Sequence, residues 1–236
     1  MDIIKAIASE LNVRNNQVEA AVKLIDEGCT IPFISRYRKE ATGALNDEQL
    51  RNLDERLKYL RNLEDKKTQV IASIAEQGLL TDELKNQIEK ADTMVAVEDL
   101  YRPYRPKRRT RATIAKEKGL EPLANIIMLQ MTGEPVVKTA EEYVSEEKDV
   151  KTPEDAVAGA KDIIAESISD NADYRTRIRE LTFKEGVLTS AAKDAEAKTV
   201  YEMYYNFSEP AAKMAGHRIL AVNRGENEKI LTVKIE

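Results

Sequence analysis

The stretch Asn46–Gly78, NDEQLRNLDERLKYLRNLEDKKTQVIASIAEQG, decides the fold class. Its apolar residues recur at steps of three and four, the spacing of one face of an α-helix. The members of this stripe are Leu50, Leu53, Leu57, Leu60, Leu63, Val70, Ile71 and Ile74. Asn46 and Gln49 have the spacing of a capping box, and Gly78 marks the end. The stretch therefore predicts a helix on the order of 45 Å long.

This helix is expected to belong to a bundle within the chain. The alternative is a coiled-coil seam to a partner, but the stripe drifts near Leu60 and is interrupted by Lys67. Helical periodicity continues on both sides of the stretch, with cap residues at Asp2, Thr81 and Thr152. Aromatic residues make up only 5% of the chain and tryptophan is absent, which disfavours a β-sandwich or barrel. The sequence therefore predicts an all-α, multi-helix bundle.

The C-terminal residues depart from the helical pattern. Lys229–Ile235 alternates polar and apolar residues and is rich in β-branched side chains, which is typical of a strand. The only segment that resembles a partner is Gly186–Thr189, and a lone strand is not stable. We therefore expect a short orphan strand whose sheet lies outside these 236 residues.

The sequence offers no constellation for catalysis, metal or cofactor binding. Cys29 is the single cysteine and His217 the single histidine, which is too few for a zinc site without well-placed acids. A glycine-rich phosphate loop is absent from the sequence. The lone cysteine fits a reducing compartment, and no apolar run reaches the roughly 18 residues that span a bilayer. We expect a cytoplasmic protein that is not an enzyme, needs no cofactor and contacts no membrane.

Charge is distributed unevenly along the chain, although the net charge is only −5. Residues 102–118 carry eight cations and one acid, a balance of 8 − 1 = +7. Residues 134–155 carry three cations and eight acids, a balance of 3 − 8 = −5. A bulk isoelectric point would hide this asymmetry.

The basic arm, Arg102–Arg111 with sequence RPYRPKRRTR, is the strongest candidate site. Pro103 and Pro106 stiffen it and favour extended backbone, so that its cations can follow the phosphates of a nucleic acid. The candidate nucleic-acid-binding residues are Arg102, Arg105, Lys107, Arg108, Arg109, Arg111 and Tyr104, and Tyr101 and Tyr104 could stack on unpaired bases. The alternative is a loop that ties helices together through ion pairs with the acids of residues 134–155.

A second basic stretch, Ile31–Glu40, is amphipathic. Its apolar residues, Ile31, Phe33, Ile34 and Tyr37, are expected to pack inward, whereas Arg36, Arg38 and Lys39 are expected to face solvent. We interpret it as a structural elbow in preference to a phosphate contact.

Several segments, in a fixed order, carry a resemblance to a known family. The matching runs are Thr30–Gly43, Glu98–Ala115, Lys118–Ala124, Ala160–Glu166, Phe207–Pro210 and Gly216–Arg218. Together they resemble the N-terminal region of the Tex-like family of bacterial transcription accessory proteins. The resemblance implies a protein about three times this length, with a ribonuclease-H-like domain, a helix-hairpin-helix region and a C-terminal OB-fold RNA-binding domain beyond this part.

The resemblance also implies a helix-turn-helix-like module and a role in transcription and nucleic-acid binding. With it, the sequence predicts three segments: 1–77, a helical core ending in the long helix; 78–190, the helix-turn-helix-like module; and 191–236, a return to the core. The expected function is a helical scaffold that contributes non-specific phosphate contacts to RNA or DNA. The alternative is a protein-interaction scaffold within the transcription machinery that does not contact nucleic acid.

Overall fold

The computed structural model of the protein describes residues 2–131 and 133–236, most of which are helical. The chain divides into two compact units, Met1–Arg105 and Pro106–Glu236. The helical part of the expected fold is confirmed, but the chain is not all-α, because the second unit contains a small antiparallel sheet. The three segments 1–77, 78–190 and 191–236 stay a prediction.

The first unit is organised around one long helix. Its helices within the described residues are α1 (Ile3–Glu10), α2 (Asn15–Asp26), α3 (Ile31–Tyr37), α4 (Asp47–Glu76), α5 (Asp82–Lys90) and α6 (Met94–Tyr101). Helix α4 contacts each of the other five. Asn46 accepts a hydrogen bond from the Gln49 backbone N at 2.8 Å, and the Gln49 side chain accepts one from the Asn46 N at 3.0 Å. The expected capping box is therefore present, and the leucines of the stripe are buried.

Lys67, which interrupts the apolar stripe in the sequence, is buried in the structure. Its Nζ donates to Glu64 Oε1 and to the Glu89 backbone carbonyl, both at 2.9 Å. Glu89 lies in the last turn of α5, where the carbonyl oxygens lack partners within the helix and attract a cation. The lysine thus joins α4 to the end of α5, which accounts for its place in the stripe.

Helix α4 also fixes both ends of α6. Tyr59 Oη accepts a hydrogen bond from the Met94 backbone N at 3.1 Å, at the start of α6. The Ser73 and Tyr101 hydroxyl oxygens lie 3.1 Å apart, and Gln77 Nε2 donates to the Tyr104 carbonyl at 3.1 Å. The backbone up to Tyr104 is therefore held on the long helix.

The second unit begins with helices and ends with a mixture of strands and helix. Its helices and strands within the described residues are α7 (Arg111–Glu117), α8 (Glu121–Leu129), α9 (Val136–Ala140), α10 (Pro153–Asp170), α11 (Ala172–Glu185), β1 (Val187–Ala192), β2 (Asn206–Pro210), α12 (Gly216–Asn227) and β3 (Leu231–Ile235). Helix α10 packs on α7, α8 and α9 through small residues. A Cβ on Gly159 would lie 2.4 Å from Leu120 Cδ1, so α10 approaches the start of α8 very closely.

The expectation of an orphan strand is wrong, because β3 has a partner inside this chain. The sheet has the order β2-β1-β3, and both pairings are antiparallel. Leu188 lies opposite Ile235 in the second pairing, and Ala192 lies opposite Leu231. The sequence pointed only weakly to β1. Strand β2 escaped notice because NFSEP contains a proline and three polar residues, which have low strand propensity.

Candidate nucleic-acid interface

The basic arm begins as a turn and becomes extended farther along the chain. Residues Arg102–Tyr104 form a 3₁₀ turn directly after α6. Extended backbone begins at Arg105, with φ −66° and ψ 131°, and reaches Thr110, with φ −97° and ψ 169°. Thr110 caps α7 by accepting a hydrogen bond from the Thr113 backbone N at 3.0 Å. The expected extended conformation is thus present only in the second half of the arm.

The part of the arm in the first unit is closely tied to that unit's core. Tyr101 and Tyr104 are half-buried and pack against the apolar cluster around α4. The Lys66 ammonium lies 5.8 Å from the centroid of the Tyr101 ring. Arg102 and Arg105 are exposed. Packing therefore limits the access of bases to the two tyrosines, whereas the arginine heads lie at the surface.

In the second unit, acids on α10 face the arm. We define the α10 acidic row as Asp162, Glu166 and Asp170, which lie four residues apart and so on one helix face. Lys107 Nζ contacts Asp170 Oδ2 and lies 3.6 Å from Glu166 Oε2. Thr110 Oγ1 donates to Glu166 Oε1 at 3.0 Å. The Lys107 side chain is only 27% exposed, so it holds the arm to α10.

The arginines of the arm that lie in the second unit are exposed to solvent. Arg109 Nη2 lies 2.7 Å from Glu117 Oε2, and Arg111 Nε lies 3.7 Å from Asp162 Oδ1. These arginine side chains are nevertheless 67% and 86% exposed. Within the described part of the second unit, Arg108 is exposed and forms no ion pair. Exposed ion pairs contribute about 0–1 kcal/mol, so a phosphate can replace these carboxylates at little cost.

The sequence placed the acidic partners of the arm in the wrong segment. Residues 134–155 supply Asp149, which pairs with Lys118 beyond the arm, whereas the acids that pair with Lys107, Arg109 and Arg111 lie on α10 and α7. Lys118 Nζ lies 3.0 Å from Asp149 Oδ2, and this hydrogen bond lowers the pKa of Asp149 below its usual value. Asp162, Glu166 and Asp170 are spaced four residues apart, and this helical spacing was the signal in the sequence for the correct partners.

The second basic stretch differs from its expected packing. In α3 only Ile34 is fully buried, whereas the Phe33 and Tyr37 side chains are 38% and 67% exposed. Phe33 lies roughly 100° around the helix from Ile34, and Tyr37 is the last residue of this seven-residue helix. The expectation that both aromatic rings pack inward is therefore wrong.

Residues 2–131 and 133–236 show neither a metal-ion site nor a membrane-spanning helix. These residues contain no group of three or more His, Cys, Asp or Glu side chains placed to hold a metal ion. None of their helices combines the length and apolar character that crossing a bilayer requires.

Comparison with known proteins identifies relatives of both units. The Tex-like protein N-terminal domain matches residues 1–75, and the Tex central region-like family matches residues 132–236. The uncharacterized protein YdcI of Bacillus subtilis is 51% identical over 233 residues, which are 98% of this chain and 32% of YdcI. The transcriptional accessory protein Tex of Neisseria gonorrhoeae is 42% identical over 239 residues, which cover 100% of this chain and 31% of that protein.

A more distant relative is human. The S1 RNA-binding domain-containing protein 1 of Homo sapiens is 30% identical over 244 residues, covering 99% of this chain and 24% of that protein. The chain thus spans about a third or less of the length of each of these three relatives.

Proposed function

Since the chain belongs to the Tex-like family, we propose that it acts in transcription as a helical scaffold that contacts nucleic acid without reading its sequence. The observation that carries the proposal is the set of exposed guanidinium groups at Arg108, Arg109 and Arg111. Two relatives bear names that refer to transcription and to RNA binding. The role is binding in the cytoplasm, with no catalytic step in this part of the protein.

The arm is suited to phosphate contacts of this kind. Extended backbone between Arg105 and Thr110 separates successive cations, as the phosphates of a strand are separated. Guanidinium groups bind phosphate oxygens through two hydrogen bonds, so three exposed arginines provide three strong contacts. Lys107 has a different part in this proposal, since its contacts with Glu166 and Asp170 position the arm.

A helix-turn-helix-like module is a finer part of the proposal. Helices α7 and α8 are short and are joined by a tight turn at Gly119, whose φ is +81°. The α8 sequence EPLANIIML contains no arginine or lysine, the residues that most often read guanine in the major groove. We therefore propose that the module supports the arm and that base reading by α8 is not its use.

Salt-dependent binding tests the proposal. The 236-residue chain is titrated against single-stranded RNA and duplex DNA at several salt concentrations. Arg108→Glu/Arg109→Glu should weaken binding and reduce the salt slope, which is about 0.7 for each phosphate on a single strand. Lys193→Glu/Lys198→Glu is the matched control, since it makes the same charge change at exposed lysines of the same unit.

The result also distinguishes the protein-interaction scaffold. If the folded chain binds no nucleic acid at low salt, or if both double variants bind like the unmodified chain, phosphate contact by the arm is overturned. In the first case the protein-interaction scaffold takes its place, and in the second the nucleic acid is bound outside the arm. Circular dichroism of each variant establishes that the helices are intact.

A further inference from the structure

We propose that α3 carries a second binding site, which takes single-stranded nucleic acid by stacking an unpaired base on Tyr37. The α3 surface is defined as Phe33, Arg36, Tyr37, Arg38 and Lys39. It lies in the first unit, and the site is independent of the arm. It combines an exposed aromatic ring with cations, as surfaces that bind single strands do.

The aromatic side chains are arranged so that one ring remains available. The Phe33 and Tyr37 ring centroids lie 5.4 Å apart with planes tilted by 44°. The Arg38 guanidinium carbon lies 5.3 Å from the Phe33 centroid. Phe33 is therefore occupied by its two neighbours, whereas Tyr37 is 67% exposed. The Tyr37 ring is therefore accessible to an unpaired base, which can stack on it.

Few acids lie among the cations around this ring. Among the described residues, Arg36, Arg38 and Lys39 form no ion pair, and all three are exposed. Glu40 is the one acid within the segment 36–40, which leaves a local balance of 3 − 1 = +2. Charge of this sign favours a polyanion over an acidic patch of only a few carboxylates, since each phosphate contact releases a counterion.

Hydrogen bonds hold the end of α3 in place. Thr42 is fully buried, and its Oγ1 donates to the carbonyls of Arg38 and Lys39 at 3.2 and 3.3 Å. The Ala44 backbone N donates to the Lys39 carbonyl at 2.7 Å. Gln17 Nε2, from α2, donates to the Gly43 carbonyl at 2.7 Å.

Gly43 itself has φ +59°, and a Cβ there would lie 2.9 Å from Gln17 Nε2. The chain therefore leaves α3 in one conformation. The backbone that carries the ring and its cations is fixed in advance of binding, which lowers the entropy that a ligand must offset.

The absence of tryptophan from the chain permits a direct test. Tyr37→Trp provides a single fluorophore at the proposed stacking position, and Tyr174→Trp provides a matched one at another exposed tyrosine, on α11. A single-stranded uridine oligomer should quench the emission of the first variant and leave the second unchanged. An RNA duplex should quench the emission of neither variant, because its bases are already stacked.

Two further variants separate this site from the arm. Tyr37→Ala should weaken binding of the oligomer about fivefold to a hundredfold, the range for loss of one stacked base. In Tyr37→Trp combined with Arg108→Glu/Arg109→Glu, quenching should persist, since the α3 surface does not depend on the arm. Arg36→Glu/Lys39→Glu in the Tyr37→Trp chain should abolish it.

The outcomes against the proposal are distinct from those against the arm. Equal quenching at both tryptophans, or none at low salt, overturns the α3 site and leaves a protein partner as the occupant of this surface. If quenching disappears when the arm is also mutated, the α3 site is not independent of the arm. Failure of the arm variants to weaken binding, with quenching retained, overturns the proposed function of the arm alone.

Discussion

The basic arm and the α3 surface are both rich in arginine, lysine and aromatic residues, but they differ in what faces their cations. In the second unit, Lys107, Arg109 and Arg111 each have a carboxylate within ion-pairing distance. In the described part of the chain, the cations of the α3 surface have none. The aromatic side chains differ in the same sense, since Tyr101 and Tyr104 pack on a core whereas Tyr37 is exposed.

This difference teaches that a basic run can serve folding and binding at once. Lys107 contacts two acids of α10, so its charge stabilises the second unit, whereas Arg108 is exposed and available to a ligand. A run of cations in a sequence therefore has to be divided residue by residue according to its neighbours.

The largest expected effect comes from destabilising the core beneath the arm while leaving the core beneath the α3 surface intact. Leu123→Ala removes a fully buried side chain from the second core and should lower the free energy of unfolding by about 2–5 kcal/mol. Binding through the arm should then fail at a temperature at which Tyr37→Trp quenching persists. Leu129→Ala, at an exposed position of the same helix, is the control. Simultaneous loss of both signals would show that the two surfaces share one support.

A smaller effect tests the roles of two lysines. Lys107→Gln should lower the free energy of unfolding by about 1–2 kcal/mol, because Asp170 and Glu166 lose a hydrogen-bonded cation at a half-buried position. Lys39→Gln should change it by less than about 0.5 kcal/mol, since this exposed lysine forms no ion pair with a described residue. Urea unfolding of both variants measures the contrast. Equal destabilisation would contradict the assignment of Lys107 to the structure of the arm.

The smallest expected effect is on the stability of the folded chain at acidic pH. The hydrogen bond from Lys118 lowers the pKa of Asp149 in the folded chain. The resulting stabilisation is fully present above the unfolded pKa of Asp, about 3.9, and is lost as pH falls through the folded pKa. Asp149→Asn should therefore unfold with a shallower dependence on pH below about 4.

Asparagine is a suitable replacement because Asp149 has φ +54°, a conformation that asparagine tolerates. The urea midpoint, measured from neutral pH downward, tests the expectation. Identical pH profiles for the variant and the unmodified chain would exclude a contribution from this pair.

Much of the fold followed from local pattern. The cap at Asn46, the leucine stripe and the start of α10 at Thr152–Pro153 lie where periodicity and capping chemistry predicted them. The quoted motifs identified the family, which the comparisons confirm. The pairing of β3 with β1 did not follow, since a strand's partner is chosen by packing between segments far apart in sequence.

The sequence alone determined where the long helices α4 and α10 begin, where the positive charge is concentrated and which family the chain belongs to, because periodicity, composition and motifs are local properties. Only the tertiary structure decided that Tyr37 is exposed, that Lys107 is paired with α10 and that β3 has a partner. The physical reason is that exposure and pairing depend on which distant elements pack together.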